Sequence, residues 1–92
     1  MNENFDSIWS TIDNTIDEIT SHLEVELLES GRRIIPTLTP EDMLQPNDYP
    51  ELENNPYFRY DEGMLAGAHT IKMALRALKK DLTNNLEVNK KL

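Results

Sequence analysis

Ninety-two residues with 38% hydrophobic content make one domain, near the lower size at which a single core suffices. The absence of cysteine excludes disulfide staples, thiolate metal sites and a cysteine nucleophile. The net charge of −8 is polarised: residues 1–31 carry eight acids and no Lys or Arg, residues 32–62 seven acids and three Arg, and residues 63–92 two acids against six bases.

The N-terminal MNENFDSIW has neither a basic region nor an apolar run of signal-peptide length, which points to the cytoplasm. No stretch reaches the roughly 20 apolar residues of a membrane span. A first helix is predicted over about 3–30. Asn2 or Asn4 is placed to cap it, with Glu3 and Asp6 at the positive end of the dipole. Phe5, Trp9, Ile12, Ile16, Ile19, Leu23 and Leu27 recur in threes and fours, while Ile8 and Val25 widen the stripe. Gly31 has the character of a C′ residue, and Arg32 and Arg33 suit a helix C-terminus.

The connection, residues 31–55, holds four of the five prolines and breaks helical geometry repeatedly. Thr39-Pro40-Glu41-Asp42 reads as cap, N1 residue and acidic first turn of a short helix, and Pro50-Glu51-Leu52-Glu53 as another single turn. Ile34, Ile35, Leu38, Met43, Leu44, Tyr49 and Leu52 are too many apolar residues for a free tether. This segment is expected to fold across the helices.

Asn55-Pro56 restarts a second helix, predicted over about 56–84, with a frayed tail over 85–92. Its first turn holds Tyr57, Phe58, Arg59 and Tyr60, placed either to plug one end of the molecule or to bind a partner. Met64, Ala68, Ile71, Leu75, Leu78 and Leu82 form an unbroken helical seam. Beside it runs a row of small residues, Gly63, Gly67, Thr70, Ala74 and Ala77. His69, Lys72, Arg76, Lys79 and Lys80 form the strip expected to face water. Two glycines inside a helix cost about 2 kcal/mol relative to alanine, which suggests an offsetting close approach of another backbone.

Two helices of matched length, each about 40 Å long, predict an all-α fold: a long antiparallel helical hairpin with a proline-rich structured connection. The acidic start of the first helix would lie beside the basic end of the second. Their apolar faces are too broad to cover each other, so two hairpins are expected to dimerise into a four-helix bundle. Trp9, Ile16, Leu23, Gly63, Met64, Gly67, Ile71, Leu75 and Leu78 are its expected interface.

Chemistry is sparse. Glu18, His22 and Glu26 fall four apart, and Glu62 and His69 seven apart, a possible metal-ligand column. The Glu-x-x-His signature of bundle metal sites is missing at both histidines, so no metal and no cofactor is expected, with a metal-binding bundle protein or enzyme as the alternative. Ser7, Ser10, Ser21 and Ser30 lack a neighbouring base and orienting acid. Four net positive charges on one helix do not make a phosphate-binding surface, which argues against nucleic acid. The function expected is that of a small non-catalytic interaction or adaptor protein, chaperone-like or inhibitor-like, acting as a dimer.

Overall fold

The computed structural model describes the backbone of residues 3–91 and the side chains of residues 3–85. All regular structure in this range is helical: α1 (Glu3–Ile34), α2 (Pro50–Glu53) and α3 (Pro56–Lys91), with 3₁₀ turns at Asp42–Leu44 and Pro46–Asp48. Asn2, one of the two candidate caps of the first helix, lies outside the described residues.

α1 and α3 pack along each other as an antiparallel pair. Phe58 lies by Gly31, His69 meets Glu24 and Lys72 meets Asp17, so numbers rise along one helix as they fall along the other. The molecule measures 59 × 20 × 19 Å.

Local chemistry sets the helix ends. Asn55 Oδ1 accepts hydrogen bonds from the backbone N–H groups of Tyr57 (3.0 Å) and Phe58 (3.1 Å), and Pro56 takes the first helical position, where its missing N–H costs nothing. α1 does not stop at Gly31. No glycine has positive φ, so Gly31 is an interior helical residue rather than a C′ residue, and the helix runs three residues further to Ile34. Close approach explains the glycine instead. A Cβ at this position would come within 2.5 Å of Leu38 Cδ2 and 3.5 Å of Phe58 Cε2. The chain then turns through Pro36 and Thr37, closed by Leu38 N–H donating to Ile35 O at 3.0 Å. Arg32 Nε donates to Leu38 O at 2.8 Å and fixes the turn to the end of α1.

The connection folds onto the closed end of the hairpin. Thr39 N–H donates to Asp42 Oδ2 (2.9 Å) and Asp42 N–H to Thr39 Oγ1 (3.3 Å), a reciprocal cap on the first 3₁₀ turn. Leu38 and Leu52 from the connection, Leu27 from α1 and Phe58 from α3 form the buried core, with Ile34, Ile35, Met43, Tyr49 and Leu65 packed around it. Phe58 is 0% exposed, so it is the plug of this end rather than a partner-binding residue. Tyr57, Arg59 and Tyr60 remain on the surface.

The rotation of α3 differs from expectation. The row turned toward α1 is Phe58, Leu65, Ala68, Lys72, Leu75 and Lys79, each buried or half-buried. Met64, Ile71 and Leu78 of the predicted seam are exposed instead. Lys72 and Lys79, expected in water, lie half-buried, their aliphatic stems able to cover apolar surface while Lys72 reaches an acid on α1. The opposite charges of the two helices thus share one packed flank.

Candidate functional site

The ion pairs give the hairpin two unlike sides. On one, Asp17 Oδ1 meets Lys72 Nζ at 2.7 Å and Arg76 Nη2 at 3.6 Å, and Glu24 Oε1 meets His69 Nε2 at 3.7 Å. The hydrogen bond and charge from Lys72 hold the Asp17 carboxyl below the usual carboxylate range, against an opposing effect of desolvation, and Arg76 adds to this. These contacts define one flank of each helix.

Most of the exposed apolar residues of the two helices lie on the other flank of both; Val25 of α1 and Met73 of α3 do not. At about 100° per residue, Ile8, Ile12 and Ile19 stand about 140–180° round α1 from Asp17. Met64, Ile71, Leu78 and Leu82 stand about 80–120° round α3 from Lys72. Both stripes therefore open on the same side, opposite the ion pairs. Ile8 is 60% exposed and Ile71 59%, and Ile19, Met64, Leu78 and Leu82 are exposed with them. Gly63 and Gly67 lie beside this stripe on α3, and a Cβ at either would meet no atom within 4 Å. Among the described residues nothing approaches the two glycines closely enough to supply the offset that their presence in a helix suggests. Of the expected interface residues, Met64, Ile71 and Leu78 are on the open face, Gly67 is at its edge, and Gly63 is turned away from α1, about 180° round α3 from Lys72. Ile16, Leu23 and Leu75 are half-buried at its floor, and Trp9 is buried against it at the far end of α1.

The ion-paired side carries a groove of about 570 Å³ where α1, α3 and the connection meet. Val25, Leu27 and Leu28 line it from α1, Leu65 and His69 from α3, and Pro40, Met43 and Leu44 from the connection, with Ser21 and Glu24 at its edge. A second depression of Asn14, Asp17, Glu18 and Ser21 continues it along α1. The connection's wall is anchored by Asp42. Bonds from Thr39 and from the Tyr49 hydroxyl hold its carboxyl below the usual range and push the Tyr49 phenol up. The groove has no local signature in the sequence, because its walls come from three segments whose juxtaposition no local pattern encodes.

The five candidate metal ligands do not gather. His22 Nε2 is 2.9 Å from Glu26 Oε1 on the exposed surface of α1, Glu62 pairs with Arg59 at 3.1 Å, His69 faces Glu24, and Glu18 lies in the shallow depression. Among the described residues no group of three or more His, Asp or Glu side chains could hold a metal ion. Among the same residues no helix is long and apolar enough to cross a membrane. No protein-family model matches the chain, and no curated protein and no solved structure matches it.

Proposed function

We propose that this chain is a non-catalytic interaction protein of the cytoplasm, an adaptor of chaperone-like or inhibitor-like type, that acts as a homodimer. In this reading two hairpins bury their open faces on each other as a four-helix bundle, and the outer surfaces are left for a larger protein. The observation that carries the reading is the two-helix apolar face opposite the ion pairs. Monomers seldom leave so long an apolar strip uncovered.

The surface area supports it. The chain exposes 6800 Å², whereas a compact monomer of 10.6 kDa exposes about 5,500 Å². The surplus exceeds the roughly 800 Å² that each partner gives to an interface of ordinary size. The radius of gyration is 18.2 Å, where a compact 92-residue domain has about 12 Å. A second hairpin laid on the open face would make the particle wider without lengthening it and would remove most of that excess.

Sedimentation equilibrium across a concentration series tests the proposal. The parent is expected at dimer mass and Ile71→Asp at monomer mass with its helix content retained. A parent that stays monomeric at all concentrations would overturn the dimer.

A further inference from the structure

We propose that the second copy covers the open face with its closed end at the same end as that of the first, so that each α1 packs across the partner's α3. The arrangement rests on the dimer proposed above and fixes its orientation.

The two helices of one hairpin keep a constant register. Asp17 meets Lys72 and Gly31 lies by Phe58, a step of fourteen residues on both helices. The apolar residues of the open face therefore share heights within about one residue: Ile8 with Leu82, Ile12 with Leu78, and Ile19 with Ile71. These three heights run about 17 Å, from near the tip where α1 begins to the middle of the molecule. At the next height toward the closed end, Met64 stands level with Glu26, whose carboxylate pairs with His22 at 2.9 Å. The apolar part of the face thus reaches further toward the closed end on α3 than on α1.

A two-fold interface sets one patch against its own copy, and two orientations keep the hairpins overlapped along their length. With the closed ends together, α1 crosses the partner's α3 height for height. Ile8 then meets the partner's Leu82, Ile12 the partner's Leu78, and Ile19 the partner's Ile71. The apolar heights stay continuous, and Glu26 falls at the margin of the contact, where interfaces ordinarily keep their charged residues. With the closed ends apart, α1 lies on the partner's α1 and the heights run in opposite directions. Ile12 then comes against the partner's Glu26, while Ile8 lies beyond it at the height of the partner's Ser30. That order places a carboxylate between apolar heights on each side of the two-fold axis, at a cost in desolvation. The surface in excess of a compact monomer is already larger than one side of an ordinary interface, so the area suffices.

The chain has no cysteine, so introduced single cysteines report on the arrangement without background. Asn4, Tyr57 and Asn85 are exposed and lie near the helix ends. Pairs of full-length variants are refolded together and treated with a bismaleimide that spans about one interhelix distance, about 10 Å. Peptide mapping then identifies which cysteines are joined. Asn4→Cys is expected to join to Asn85→Cys, because these positions share a height at the tip. Tyr57→Cys is expected not to join to Asn85→Cys, because the two sites would lie about 42 Å apart along the bundle. The reverse pattern, or joining in both mixtures or in neither at dimer mass, would overturn the arrangement while leaving the dimer in place. Sedimentation equilibrium of the same samples reads the dimer itself, and monomer mass throughout would overturn both proposals.

Discussion

Gly31 occupies a point where α1, the turn after it and Phe58 come together, and there is no volume for a methyl group. Gly31→Val is therefore expected to destabilise the chain by about 1–3 kcal/mol, read as a lower urea midpoint at unchanged slope. The sequence shows a glycine at a helix end, and the usual reason for one there is backbone geometry. The actual reason is contact with Leu38 and Phe58, residues 7 and 27 positions away, and nothing local reveals it. The Thr39–Asp42 cap, by contrast, lies within four residues and was legible. Asp42 and Tyr49 also predict a pH profile. A carboxyl held below its ordinary value adds stability that is complete above about pH 4 and is lost as pH falls through its folded value. Asp17 behaves in the same way. The Tyr49 phenol, pushed up, adds stability that is complete below about pH 10 and is lost as pH rises through its folded value. Thermal melts across pH should show Tyr49→Phe removing part of the alkaline loss and Asp42→Asn part of the acid loss.

At the scale of elements, the aromatic turn of α3 divides sharply. Phe58→Ala empties the core of the closed end and is expected to cost about 3–5 kcal/mol, while Tyr57→Ala and Tyr60→Ala should each stay within about 0.5 kcal/mol. Equal effects of the three in urea titrations would mean that the two tyrosines are also covered. That helices form, and that Asn55 and Pro56 start the second long one, follows from signals confined to one turn. The rotation of α3 about its axis does not. A helix apolar or small over most of its circumference has no single preferred direction, and the choice here goes with the acids of α1. Leu75 and Ala68 turn inward together with Lys72, and the stripe of Met64, Ile71 and Leu78 is left outside. Asp17→Lys should test that balance, lowering the melting temperature more at low salt than at high salt because it sets like charges against Lys72 and Arg76.

For the whole molecule the two glycines of α3 offer a clean separation of fold from assembly. No atom lies within 4 Å of a Cβ at Gly67, so Gly67→Leu meets no obstacle inside one chain. Far-UV circular dichroism of dilute samples should be unchanged or show more helix. If a second hairpin covers that surface, the same substitution shifts sedimentation toward monomer. An unaltered dimer would place the contact elsewhere on the open face. His22→Gln and His69→Gln should change neither mass nor fold, since the exposed His22 and the half-buried His69 each contact a single glutamate.

The buried core sits wholly at the closed end, whereas Trp9, the chain's one tryptophan, is buried beside Phe5 near the other end, about 27 Å along α1 from Leu27. The indole is therefore a built-in reporter of the opposite tip and is blind to the core. Warming should let the helices part from the tip inward, like a zip opened from its loose end. Trp9 emission would then shift before helicity falls, and amide exchange would slow progressively from residue 9 toward residue 31. In this chain, coincidence of the two optical signals would be the result that needs explaining.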